Sequence, residues 1–215
     1  MDFPTYPGYR PRLPYLLLAV ALSAPSLAGC QPAMTDSPPH TPAVAGTPDR
    51  KYTGTVADWP LFFVSHTFGA ACYSTYGCKV RYNDFLHVDD GDDELKPSSE
   101  SLGSRYPDVL GGGYLGVRNF PPPVEVDWRS LDGSAHHARI DIGELFADGL
   151  VRHDVAREDI PERIGISEPE IILEVNNRTI NVYMRTHIPL KAPRTPGNPY
   201  SDFNNDLMKV FSRTY

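Results

Sequence analysis

The densest group of chemically capable side chains is Asp89-Asp90-Gly91-Asp92-Asp93-Glu94. Carboxylate oxygens gathered about a glycine can hold calcium, yet the spacing departs from the twelve-residue calcium loop. The segment reads instead as a solvated acidic loop or as one that meets a partner, with Asp89, Asp90, Asp92, Asp93 and Glu94 as the contact residues. Seven histidines raise a metal reading. His136 and His137 are adjacent, and neighbours on a strand point to opposite faces, so only one of them can join a given ligand set. His66, His87, His153 and His187 are scattered, with no His-x-His or His-Glu-x-x-His spacing. A serine hydrolase would show a Gly-x-Ser-x-Gly elbow, and the chain has none. Gly111-Gly112-Gly113 is not followed by the Lys-Ser/Thr of a phosphate-cradling loop. Glu125, Asp127 and Asp141 fall on expected strands, where alternation displays carboxylates routinely. The expectation is a protein without catalytic residues, metal or cofactor.

Three cysteines remain to be placed. Cys30 ends the tetrapeptide Leu27-Ala28-Gly29-Cys30, preceded by Arg10, Arg12 and the apolar run from Tyr15 to Leu22. A basic start, an apolar middle and small residues before a cut make a secretory signal. The run is far short of the roughly 20 residues that a spanning helix needs. The tetrapeptide resembles a lipobox, the processing signal of bacterial lipoproteins, in which the thiol receives a diacylglycerol. Lipidation at Cys30 would anchor the protein, because each buried methylene contributes about 0.8 kcal/mol and several acyl chains hold stably. Gln31 stands where many lipoproteins kept at the inner membrane carry aspartate. The resemblance to that sorting rule implies the periplasm, with the lipid in the inner leaflet of the outer membrane. In that oxidising compartment Cys72 and Cys78 form an even pair, with a structural disulfide favoured over a metal or redox pair. Its short loop would contribute about 2 kcal/mol.

The expected organisation is therefore a signal peptide over 1–29, a lipidated flexible tether over 30–50 and one globular domain over 51–215. Residues 31–50 are rich in Pro, Thr, Ser and Ala without apolar periodicity, which suits a tether. The 186 residues after the signal allow a single core. Losing Arg10, Arg12 and Asp2 leaves 18 basic against 26 acidic residues, a net charge of −8. Such a surface disfavours nucleic acid, whose phosphates reward basic patches.

The elements that must position these groups are mostly strands. Leu61 to Thr67 and Cys78 to Tyr82 are β-branched and aromatic, and a long exposed loop runs from Asp89 to Arg105. The triplet at Gly111 marks backbone that needs unusual dihedrals. Val124 to Trp128 and Ala138 to Ile142 alternate apolar and polar residues around Asp132-Gly133, a hairpin signal. One helical turn is expected at Glu144 to Phe146. Residues 170–175 and 179–184 flank Asn176-Asn177-Arg178, a second hairpin. Phe203, Leu207, Val210 and Phe211 follow helical spacing after Asp202, a possible N-cap. The fold class is thus mainly β, an antiparallel sheet or sandwich with a short C-terminal helix.

Val124-Glu-Val-Asp-Trp128-Arg-Ser-Leu-Asp-Gly133, then Ala138 to Ile142 and Ile171 to Met184, carry a resemblance. They resemble periplasmic immunity lipoproteins that accompany type VI secretion lipase (phospholipase) effectors. The Gly111 triplet before a Pro-rich approach to a Trp strand resembles a related lipoprotein domain family of unassigned function. The resemblance implies a membrane-anchored protein that neutralises its cognate secreted lipase effector by binding it. It spans about Gly111 to Met184 and transfers no contact residues. A non-enzymatic envelope lipoprotein serving assembly or surface architecture shares the same anchor and β domain, and stays open as the alternative.

Overall fold

The computed structural model describes residues 51–215. The expected signal peptide and tether, with Cys30, lie outside the described residues. In chain order the strands begin with β1 (Ser65–Tyr73), β2 (Thr75–Tyr82) and β3 (Phe85–Asp89), followed by β4 (Tyr114–Arg118), β5 (Val124–Ser130) and β6 (Ala135–Ile140). One short helix, α1 (Ile142–Leu145), comes next, with Asp141 capping it through Oδ1 to the Glu144 amide. Then follow β7 (Glu170–Asn176), β8 (Thr179–Arg185), β9 (Ile188–Pro189), β10 (Phe203–Asn204) and β11 (Met208–Thr214). The architecture is mainly β, as expected. Among the described residues no helix is long and apolar enough to cross a membrane.

A five-stranded sheet has the order β11-β8-β7-β1-β4 and a four-stranded sheet the order β3-β2-β5-β6. Neighbours are antiparallel except β1 and β7, which run parallel. Turn chemistry explains the hairpins. Asn83 and Asp84 are both left-handed (φ 51° and 58°), the pattern that matches strand twist in a two-residue loop. Gly133 (φ 83°) and Asn177 (φ 52°) serve the β5–β6 and β7–β8 turns. Both sheets feed one apolar core, with Phe68, Leu173 and Val182 from the larger, and Val80, Val126 and Trp128 from the smaller.

The chain steps from one sheet to the other through a single residue, Ser74 (φ 54°). The Cys72–Cys78 disulfide, Cα–Cα 6.5 Å, spans that corner and ties β1 to β2. Beside it, Trp128 Nε1 donates to the Asn177 carbonyl at 2.7 Å, and the Asn177 amide donates to the Tyr73 carbonyl at 2.9 Å. The two sheets are thereby pinned at one end by a covalent bond and by hydrogen bonds across the core.

Three local expectations change. Asp202 to Arg213 forms no helix: Phe203–Asn204 pairs with β9, and Met208–Thr214 pairs with backbone groups on the outer edge of β8. A bulge between Lys209 and Phe211 opposes two residues to one, so consecutive Val210 and Phe211 both reach the core. That adjacency imitates helical spacing in the sequence. Residues 89–105 are not one exposed loop: Asp89 closes β3, and the 3-10 turns at Ser99–Arg105 bury Ser99. The first strand begins at Ser65, later than Leu61, and Leu61 and Phe63 enter the core from irregular chain.

The Gly111 triplet serves close approach, and none of its residues has a positive φ. A Cβ on Gly69 would sit 2.2 Å from the Gly111 carbonyl oxygen, and one on Gly112 would sit 2.8 Å from Thr67 Cγ2. Backbone cannot yield as a flexible side chain does. Overpacking of this kind costs about 1–3 kcal/mol, so Gly69→Ala should lower the free energy of urea unfolding by at least that range. The Cys72→Ser/Cys78→Ser pair should lose about 2 kcal/mol in the same measurement.

Candidate functional site

The acidic segment that stands out in the sequence is folded back onto β2 and braced. Gly77, left-handed (φ 55°), donates its amide to the Gly91 carbonyl at 3.2 Å. The Asp90 amide donates to Cys78, Glu94 to Gly91, and Lys96 to Thr75. Lys79 lies 3.8 Å from Asp92 and 4.0 Å from Asp89, and Lys96 lies 3.0 Å from Asp90 and 3.6 Å from Glu94. Arg129 lies 3.6 Å from Asp93, donates to the Asp92 carbonyl and sits over the Tyr76 ring. Three cations thus face five carboxylates, and the segment keeps a net negative charge. Asp92, Asp93 and Glu94 remain well exposed, as does Leu95 beside them. Surface pairs of this sort contribute little each, about 0–1 kcal/mol, but with the backbone bonds they fix one loop shape.

The Asp90 carboxylate and the sulfurs of Cys72 and Cys78 lie within 4.8 Å of one another. With the sulfurs bonded to each other, two thiolates are not on offer there, and the group acts as a brace. The expected disulfide is present.

The histidines disperse as their spacing suggests. His137 Nδ1 meets Asp127 Oδ1 at 2.8 Å across β5 and β6. His136 faces the other way, stacked on Trp128 with centroids 4.9 Å apart and Nε2 2.9 Å from Ser130 Oγ. Ser130 Oγ also donates to Asp132 at 2.5 Å, so a serine, a histidine and an aspartate meet. The order is wrong for nucleophilic catalysis, which needs the carboxylate on the far histidine nitrogen. Here it grips the serine, which is fully buried. The Ser130 hydroxyl, then the Ser134 amide, hold the Asp132 carboxyl down to about 2. The cluster fastens the β5–β6 turn.

Two buried polar clusters escape sequence reasoning, because each gathers residues far apart in the chain. His66 has no exposed surface. Asn119 Nδ2 donates to the Phe63 carbonyl at 2.9 Å, which turns Asn119 Oδ1 toward His66 Nδ1 at 2.8 Å. Nδ1 therefore carries the proton, leaving Nε2 to accept from the Tyr82 hydroxyl at 3.2 Å. The ring is neutral, and burial pushes its pKa down. Burial likewise raises that of Tyr82. On the outer face of the five-stranded sheet, Glu174 is completely buried. Tyr106 donates to Oε1 at 2.8 Å, and Asn181 and Tyr183 donate to Oε2 at 2.9 and 3.0 Å. Asn176 reaches Oε1 at 3.4 Å and Ser99 at 2.8 Å. Among the described residues no cation pairs with Glu174. Its donors fasten residues 99–106 over the sheet, where Leu110, Ile172 and Tyr183 form a second apolar cluster.

A cavity of about 760 Å³ opens beside the C-terminal end of β8, lined by Arg185, Arg194, Asp108 and Asp206 among others. No motif announces it, since Arg185 reads only as the polar end of an apolar strand.

His66 carries a sign for pH dependence. A pKa lowered on folding means that its contribution is complete above the unfolded value of about 6.5 and is lost as the pH falls through the folded value. Burial lowers His87 and His153 in the same direction. Unfolding free energy should therefore fall between pH 7 and pH 5, and His66→Gln should be less stable at pH 7.5 yet show a shallower fall. An equally steep fall in the variant would assign the loss to other groups.

No family model, curated protein or solved structure matches this chain.

Proposed function

We propose that this protein is a lipid-anchored periplasmic inhibitor, an immunity-type protein that binds and neutralises a secreted lipase effector without chemistry of its own. In this reading Cys30 bears the lipid, the anchor lies in the outer membrane, and the two sheets are the layers of a β-sandwich. The observation that supports it is the braced acidic segment Asp89–Lys96. An inhibitor needs a surface already in its bound shape, because ordering side chains and loops at an interface costs about 0.5–1.5 kcal/mol for each flexible side chain. Here a disulfide, backbone bonds and three cations have already fixed the loop. Its tip shows Asp92, Asp93 and Glu94 next to the apolar Leu95, a combination suited to a basic partner surface with a shallow apolar recess. Net negative charge also speeds encounter with a basic partner. Tethering would hold the inhibitor beside the membrane that its target attacks.

The test uses a secreted lipase that the producing cell encodes next to this gene, where its neighbours include one. The tagged full chain should co-purify with that lipase and suppress its hydrolysis of phospholipid vesicles. Reversing the tip with Asp92→Lys, Asp93→Lys and Glu94→Lys should weaken binding by tenfold or more and steepen its dependence on salt. Cys30→Ser should release the protein from membranes and leave affinity in solution unchanged. Failure of the wild-type chain to bind the lipase would reject the reading.

A further inference from the structure

The cavity of about 760 Å³ beside β8 lies away from the acidic segment and has a composition of its own. Arg185, at the end of β8, forms its floor with a side chain only 12% exposed. A guanidinium has five N–H donors. Arg185 gives Nη1 to the Leu110 carbonyl and Nη2 to the Asp108 carbonyl, both at 2.7 Å. Its Nε is buried with no partner. The nearest carboxylate, Glu170, is 4.0 Å away and accepts from the Gly112 amide. A nearly buried cation, positioned by neutral carbonyls and short of a close counter-charge, leaves positive potential at the cavity floor. Arg194 differs, because both its terminal nitrogens sit 2.9 Å from the two oxygens of Asp206 in a fork. Asp108 brings a second carboxylate to the wall, and Thr195 and Ser201 bring hydroxyls. Phe203 contributes an aromatic face, with the His187 ring 4.9 Å away. Tyr200 and Val109 project into solvent from the two segments that form the wall.

Two cations and two carboxylates in one cavity select neither an anion nor a cation alone. They suit a molecule that carries both. We propose that this cavity binds a small zwitterion with an anionic oxyacid group and an ammonium, of which phosphoethanolamine is the type. Arg185 receives the oxyanion, helped by the hydroxyl of Thr195. Asp108 receives the ammonium, with Phe203 offering its ring face to the same charge. The volume falls in the roughly 300–1,000 Å³ range of small-molecule sites. The ligand can be free or the headgroup of a zwitterionic lipid, since both present the same two charges. This site is independent of the inhibitor reading, which stands or falls on the lipase alone.

The experiment titrates the full chain carrying Cys30→Ser, so that no acyl anchor contributes. Calorimetry with O-phosphoethanolamine, inorganic phosphate and ethanolamine separates the charges. The zwitterion should bind at least tenfold more tightly than either half. Arg185→Gln should lose binding, but it also frees two carbonyls that hold the fold. Asp108→Asn therefore serves as the second variant: its carboxylate is exposed and its backbone contact survives. It should weaken O-phosphoethanolamine at least fivefold and leave phosphate unchanged. Sedimentation with phosphatidylethanolamine against phosphatidylglycerol vesicles assigns the source: preferential capture by the former points to the lipid headgroup, and capture by neither points to the free compound. Equal affinity for phosphate and O-phosphoethanolamine, or an unaltered titration in Asp108→Asn, would overturn the proposal.

Discussion

The fold depends on holding one corner. Two sheets share a single apolar core, and the chain passes between them at Ser74 with no slack. Apolar burial alone, at roughly 25 cal/mol per Å², is non-directional and would tolerate sliding of one sheet on the other. Direction comes from the Cys72–Cys78 bond and from Trp128, whose indole nitrogen reaches across to the Asn177 carbonyl. Leu131 adds a backbone donor to Asn177 Oδ1 at 3.0 Å. The β5–β6 and β7–β8 turns are thus locked to each other as well as to the corner.

The braced acidic segment is a consequence of that corner. It leaves β3, returns along β2 and pairs backbone with Thr75, Gly77 and Cys78, residues of the loop that the disulfide closes. Its cations come from β2, β5 and the segment itself. A loop assembled this way has little entropy left to lose on binding, and that is the property the inhibitor reading rests on.

Away from the corner, two buried polar groups, Glu174 and His66, are held by hydrogen-bond partners inside the fold. Glu174 loses its hydration at a cost of several kcal/mol, offset by charge-assisted hydrogen bonds at about 1.5–3 kcal/mol each. His66 is kept neutral by burial, and its tautomer is set by an amide whose own orientation is fixed by a carbonyl. Each cluster fastens irregular chain to a sheet, Tyr106 through Glu174 and Asn119 through His66.

The sequence by itself determined whatever is encoded locally. Alternation in Val124–Trp128, the left-handed tolerance of Asn177 and the Asp132-Gly133 turn specify hairpins, because side-chain period and turn dihedrals are properties of adjacent residues. Cysteine count and spacing pointed to the disulfide in the same way. The tertiary structure alone decided what depends on an absent neighbour. Phe203 to Phe211 carries a helical pattern, yet the open edge of β8 offers a ladder to its C-terminal part from Met208 on, and one bulge reconciles the two. The triplet at Gly111 looks like a matter of dihedrals until Gly69 is seen against it. His66, Glu174 and Arg185 are ordinary polar letters on apolar strands. Apart from Asn176 beside Glu174, their partners lie between 7 and 77 residues away, and only folding brings those partners within hydrogen-bond distance.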